Sequence, residues 1–216
     1  KANLCWVHDV NCWDLNHARA LRVDKFLVLS DWHRDFFLRS NPFIHPTQVI
    51  KTRNGIRLDR FKNNDVKLSA RNAHRAVYSS SPDRGLQAAL DSWHIVRAQV
   101  PDAELHVYYG FDSWLATTRL NNDVSQVNLI EHLQRLIQSR AGIGVHSHGR
   151  LGQYALAQEF MESGVWAYPT WFSETSCITA MEAQAAGLRI VTSPLAALNE
   201  TVGNRGKMIT GDWLDP

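Results

Sequence analysis

Residues 165–203 constrain the fold more than any other stretch, because two short apolar runs flank a single helical pattern there. Val165-Trp166-Ala167-Tyr168 reads as a buried strand, and Pro169 stops it. After a polar turn a helix is expected from near Thr175 or Ser176, each a candidate N-cap. Ile178, Met181 and Ala185 recur on one face, while Ala180, Ala183 and Ala186 keep the helix slim enough to lie close on a sheet. Gly187 ends the pattern, and residues 189–192 supply a second buried strand. Strand, helix and parallel strand together form the building block of an open α/β sheet. In such sheets ligands bind at the carboxyl ends of the strands, which is where residues 173–178 fall.

Two carboxylates stand in this unit, Glu174 just before the helix and Glu182 within it. Helical rise separates them by roughly 12 Å. A sugar nucleotide laid along the helix start offers hydroxyls at both ends, and its diphosphate would lie near the free N–H groups of the first turn. Carboxylates are good acceptors for such hydroxyls. The plain alternative makes Glu174 a solvated turn residue and Glu182 part of a polar helix face.

The Tyr168-Pro169-Thr170 turn, the two glutamates, the run M-E-A-Q-A-A-G-L-R-I-V-T-S and then Asn199-Glu200-Thr201-Val202-Gly203 follow one another in a recognisable order. This order resembles the donor-domain signature of the retaining, nucleotide-sugar-dependent glycosyltransferases of the GT-B fold, the family marked by Glu, seven residues, Glu. One departure stands out. Where that family usually has Gly-Phe-Gly after the first glutamate, this chain has Thr175-Ser176-Cys177, which puts side chains where backbone usually approaches the donor. The resemblance implies that Glu174 holds hydroxyls of the transferred sugar and Glu182 the ribose. It gives the diphosphate to the N–H groups of Thr175, Ser176, Cys177 and Ile178.

Upstream, a strand is expected over 75–80, and Ser79-Ser80-Ser81-Pro82-Asp83-Arg84-Gly85 turns into a helical pattern running to about Val100, with Leu86, Leu90 and Trp93 on one side. A Ser-rich strand-to-helix turn with an arginine can cradle phosphate through free N–H groups and a two-pronged guanidinium. A surface arginine on a turn is the alternative. The resembled family has a basic residue before glycine here, matched by Arg84, and an arginine five positions earlier, where this chain has Ser79. Leaving-group stabilisation is therefore expected to rest mainly on Arg84. A strand over 105–109, an amphipathic helix over 124–140, a strand over 145–148 and a helix over 154–161 follow. By the resemblance, backbone at Gly149, Arg150 and Leu151 reads the edge of the nucleotide base. His146 and His148 alternate with the strand period and share a face, which we read as a satisfied pair rather than a metal site. No G-x-G-x-x-G opens any strand-helix unit, and Gly142-Ile143-Gly144 leads into a strand; both disfavour a dehydrogenase.

Residues 1–55 hold short apolar runs at 4–7, 23–29 and 49–50 and one helical pattern after Ser30. Three strands and one helix cannot cover both faces of a parallel sheet, so this piece is expected to be the incomplete tail of a first α/β domain. Cys5, His8, Cys12 and His17 have zinc's preferred ligand chemistry, but their spacing is not that of a usual finger. The resemblance gives His8 a different role, facing the donor sugar across the cleft; a polar loop histidine is the alternative. Trp32, Phe36, Phe37 and Phe43 amid Arg34 and Arg39 suit either a membrane-surface patch or the core of a larger domain. Thr52-Arg53-Asn54-Gly55-Ile56 closes the piece, and an Asn-Gly-hydrophobic step marks entry to the donor domain in the resembled family.

Composition narrows the classes. A net charge of +2, with no run of like charges, gives no electrostatic case for nucleic acid. Three cysteines without a CxxC suggest a reducing compartment, and no apolar run is long enough for a membrane span. The start at Lys1 suggests a fragment. The expected fold is α/β and GT-B-like: an incomplete acceptor-binding portion over 1–55, and a Rossmann-type donor domain over 56–216. The implied function is transfer of a sugar from a nucleotide sugar to an unknown acceptor (sugar, lipid-linked sugar or protein) in polysaccharide or glycoconjugate synthesis, with retention. It would need no metal and no cofactor, and would take place in the cytoplasm or at the membrane surface. The alternative is a nucleotide-binding module, or a truncated enzyme without turnover.

Overall fold

The computed structural model describes residues 1–12, 14–62 and 71–211. Every strand pairing is parallel, in two separate sheets. The first contains β1 (Leu4–Trp6), β2 (Lys25–Val28) and β3 (Val49–Lys51), in that order. Helices α1 (His17–Ala20) and α2 (Asp31–Ser40) accompany it. Phe26 and Val28 of β2 are wholly buried and meet Phe37 of α2, so part of the aromatic cluster in this region is core. Trp32 and Phe36 stack on one another at 5.2 Å nearer the surface. Leu4 and Trp6 of β1 are 61% and 55% exposed, so this small sheet leaves one flank uncovered.

The second sheet has six strands: β4 (Asn72–Tyr78), β5 (Glu104–Val107), β6 (Val145–Ser147), β7 (Ser163–Tyr168), β8 (Arg189–Thr192) and β9 (Gly206–Met208). Their spatial order is β6-β5-β4-β7-β8-β9, so the winding reverses between β4 and β7. This is the doubly wound arrangement in which a crevice opens outside the carboxyl ends of the two strands at the reversal. The core around it holds Tyr78, Leu86, Leu90, Leu105, Ile130, Leu133, Trp166 and Tyr168 at 0–1% exposure. Burying each such aliphatic side chain is worth about 1.5–3 kcal/mol. Helices α3 (Leu86–Asp91), α4 (Trp93–Gln99), α5 (Phe111–Leu120), α6 (Val124–Arg140), α7 (Gln153–Glu162), α8 (Ile178–Ala185) and α9 (Leu198–Val202) surround the sheet.

Three local expectations need correction. The single helix expected over 86–100 is broken into α3 and α4 at Ser92, whose hydroxyl donates back to the Ala88 carbonyl at 2.6 Å and competes with the helical ladder. Neither Thr175 nor Ser176 caps α8: the helix starts at Ile178, and Cys177 is its cap residue. Thr175 instead donates its hydroxyl to the His8 carbonyl at 2.9 Å, and the Asn54 amide donates to the Ser176 carbonyl at 3.1 Å, so these residues tie the two sheets together. Helix α5 and strand β9 are additional to the sequence pattern.

Candidate functional site

The reversal point is assembled by close backbone approach. Gly85 ends the turn after β4 with φ at +127°, and a Cβ there would lie 1.7 Å from the Pro169 carbonyl oxygen. Only glycine fits both constraints. The β4 exit is thereby pressed against the β7 exit, which brings Arg84 to Glu174. Arg84 Nη1 lies 3.5 Å from Glu174 Oε1, and its guanidinium stacks 3.7 Å above the Phe172 ring. The same Oε1 accepts the Tyr168 hydroxyl at 2.7 Å, and the Glu174 side chain is 12% exposed. Burial and the facing Glu174 push the Tyr168 phenol well up, so it stays a donor. Ser79 Oγ, Asp83 Oδ1 and Arg84 Nε, all on this turn, are buried without a hydrogen-bond partner. A buried donor or acceptor left unmet costs about 1–3 kcal/mol, so each such group calls for a partner.

Glu182 lies farther along α8, with its side chain 16% exposed and Arg60 Nη1 3.6 Å away. Burial raises its carboxyl above the ordinary range, and Arg60 opposes that. Arg60 lies 5.5 Å beneath the Tyr154 ring at the start of α7, three residues beyond the turn formed by Gly149, Arg150 and Leu151. Gly149 there has φ +68° with open space around its Cα, and Arg150 packs against Gly110 at the start of α5. Glu182, Arg60 and Tyr154 thus form one line of contacts, and Tyr154 follows the 149–151 turn in sequence. Arg60 carries no motif in the sequence; only the fold reveals it.

Ser176 and Cys177 turn inward at 7% and 3% exposure, and burial pushes the Cys177 thiol up. Ile178, 46% exposed, is the outward-facing side chain at the helix start. His8 is brought to this turn through the Thr175 contact, and its ring lies tilted against Trp6 with centroids 4.7 Å apart. Beneath its loop lies His33, with no exposed surface, whose Nδ1 accepts from the Leu29 N–H at 3.3 Å while Nε2 meets the Asp9 carbonyl at 3.2 Å. Burial depresses its pKa, which suits a neutral ring holding the loop in place. Cys5, His8, Cys12 and His17 form no metal-holding group among the described residues, and all three cysteines are free.

Glu200 bridges the sheets from the other direction, accepting from the Trp32 N–H at 2.6 Å and the Asp31 N–H at 2.9 Å at the start of α2. Beside it a cavity of about 300 Å³ is lined by residues including Ser30, Arg53, Asn54, Gln184 and Arg205. It shares Ser176 with the turn above but none of Glu174, Glu182 and Arg84.

No protein-family model matches the chain, and no curated protein matches it in sequence. Solved structures do. The pneumococcal O-GlcNAc transferase GtfA in complex with UDP and GlcNAc superposes with a TM-score of 0.70 at 16% identity, over 100% of this chain and 42% of that one. Anabaena HepE in complex with UDP and glucose gives 0.72 at 14% identity, over 98% and 59%. A UDP-forming α,α-trehalose-phosphate synthase from Burkholderia vietnamiensis gives 0.64 at 15%, over 88% and 50%. The fold is GT-B-like. The GT-B-like chain spans about two fifths to three fifths of the length of these structures, as an incomplete first α/β portion requires. No helix among the described residues is long and apolar enough to cross a membrane.

Proposed function

We propose that this chain binds a nucleotide-diphosphate sugar in the crevice between the β4 and β7 exits and serves in retaining glycosyl transfer. The observation that carries the proposal is the pair of carboxylates that flank the start of α8, one before it and one within it, each facing its own arginine: Glu174 with Arg84, and Glu182 with Arg60. A ligand with hydroxyls at both ends and two phosphates between them matches that alternation of charge. Glu174 would hold the transferred sugar and Glu182 the ribose. The diphosphate would lie against Arg84 and the free N–H groups of Thr175, Ser176, Cys177 and Ile178, with Gly149, Arg150 and Leu151 along the base. The unmet Arg84 Nε–H supports that placement, and the UDP in the GtfA and HepE complexes supports the ligand class.

In the proposed reaction the bond from the anomeric carbon to the diphosphate breaks, and Arg84 steadies the charge that develops on the leaving oxygen. The acceptor oxygen bonds to the same face of that carbon while the departing phosphate takes the acceptor's proton. His8, reaching the Glu174 turn from the first sheet, would border the sugar. With no Asp-x-Asp in the sequence to bridge metal and diphosphate, binding should need no divalent ion. Thermal shift with UDP-glucose, UDP-GlcNAc, GDP-mannose and the free diphosphates, with and without EDTA, tests the proposal. It expects stabilisation by at least one nucleotide sugar, unchanged by EDTA. A flat panel would overturn the proposal. Stabilisation without product in a turnover assay would leave a nucleotide-binding module.

A further inference from the structure

Outside the crevice, the β5–β6 edge of the large sheet gathers imidazoles and carboxylates that the proposed reaction does not use. Glu104 and His106 alternate along β5 and so share a face, and His146 lies beside His106 in register on β6. His106 Nε2 is 3.3 Å from Glu104 Oε2, and His146 Nε2 is 4.0 Å from Glu104 Oε1. One ligand atom from each of the three residues falls within 4.8 Å of the others. We propose that Glu104, His106 and His146 bind a divalent transition cation of the zinc class. Two imidazole nitrogens and one carboxylate oxygen form a donor set suited to zinc, and poorly suited to magnesium, which prefers oxygen alone.

Tetrahedral zinc with bonds of about 2.0–2.1 Å needs its donors roughly 3.4 Å apart, so the cluster must contract by no more than about 1.5 Å. The two partners with room to move are the exposed ones: the His146 side chain is 44% exposed and Glu104 38%, while His106 is 11% exposed and anchors the site. That exposure also leaves a coordination position for water. Outer partners are in place. His106 Nδ1 lies 2.9 Å from His148 Nε2, so a metal on Nε2 leaves Nδ1–H to donate to His148. The nearby Arg75 guanidinium does not repel the ion unopposed, because Arg75 is paired with Glu159 and lies 3.6 Å from Glu162. Two carboxylates thus face that one guanidinium.

The bound ion would fasten edge strand β6 to β5 at the rim of the sheet. The sequence alone suggests a satisfied pair in His146 and His148; the fold adds Glu104 and His106 to their surface. Calorimetric titration of the reduced chain with zinc chloride should give one ion per chain, and magnesium chloride no heat of binding. His146→Ala and Glu104→Gln change accessible side chains, so the core stays intact. Each should weaken zinc by more than the roughly 10–100-fold that loss of an outer partner costs. A Cys5→Ser, Cys12→Ser variant should bind as the wild type does, and the cobalt-loaded protein should lack a thiolate charge-transfer band. Absence of zinc binding, affinity unchanged in His146→Ala, or affinity lost with the two cysteines would each overturn the assignment.

Discussion

Substituting glutamine at the two glutamates separately tests the division of labour along α8. Glutamine keeps the shape and removes the charge, so each change deletes one ion pair, Glu182 with Arg60 or Glu174 with Arg84. A hydroxyl hydrogen bond to a carboxylate is worth about 1.5–3 kcal/mol, a roughly ten- to hundred-fold change in affinity. Glu182→Gln should therefore weaken nucleoside diphosphate and nucleotide sugar by similar factors, since both contain the ribose. Glu174→Gln should leave the nucleoside diphosphate unchanged and weaken only the nucleotide sugar. A pH signature accompanies the first variant. Burial raises the Glu182 carboxyl above its ordinary 4.5, so the charged acceptor, and with it part of the wild-type affinity, is lost as pH falls through that raised value. The variant should lack that component. Isothermal titration from pH 7.5 to 5, with circular dichroism confirming folded protein, measures both effects. Equal affinity of both variants and the wild type for all ligands would refute the reasoning and leave Glu182 as a polar helix face paired with Arg60. An effect of Glu174→Gln on the diphosphate alone would mean that the ligand lies the other way round.

Arg84→Ala should weaken nucleoside diphosphates roughly ten- to hundred-fold while barely changing the nucleoside, because only the former carries charge for the guanidinium; equal losses by calorimetry would remove Arg84 from the phosphate role. Gly85→Ala forces a Cβ to within 1.7 Å of the Pro169 oxygen at a φ of +127°, and should lower stability by about 2 kcal/mol or more, a fall in Tm of roughly 4–8 °C by calorimetry. His33 has a folded-state pKa depressed below 6.5, so the unfolded chain takes up its proton more readily than the folded one; its contribution is complete above about pH 6.5 and declines as pH falls below it. Urea melts across pH 8 to 5 should show that acid-side slope, and it should flatten in His33→Gln.

The second sheet was legible in the sequence wherever period and punctuation agreed. The unit over 165–203 has a proline after one strand, a glycine after the helix and alanines on the packed face, and the fold follows it closely. Boundaries failed where a side chain chose a tertiary partner over a local one. Thr175 is a good cap by composition, but its hydroxyl is 2.9 Å from the His8 carbonyl, and no local pattern announces a partner 167 residues away. The same limit hid Arg60: a basic residue in a polar stretch has no period to mark it, and it becomes part of the site only when α7 and α8 are brought together. It also hid His106, which reads as an ordinary member of an apolar strand until β6 lies beside it.

The ion pairs also bear on how the crevice would select its ligand. Each glutamate faces an arginine, at 3.5 Å and 3.6 Å, with side-chain exposures of only 12–16% for the carboxylates. Leaving either carboxylate buried and unpaired would cost several kcal/mol, so the pairing stabilises the fold around it. A guanidinium has five donors and a carboxylate about four acceptor positions, so neither partner is saturated by the other. A hydroxyl can therefore join Glu182, and a phosphate oxygen can join Arg84, without either ion pair first being broken. Phosphate alone would meet Arg84 and leave both glutamates without a hydroxyl. A ligand that supplies hydroxyls to the glutamates and phosphate oxygens to the arginine meets each charge with its complement, which favours the intact nucleotide sugar over inorganic phosphate or a free sugar.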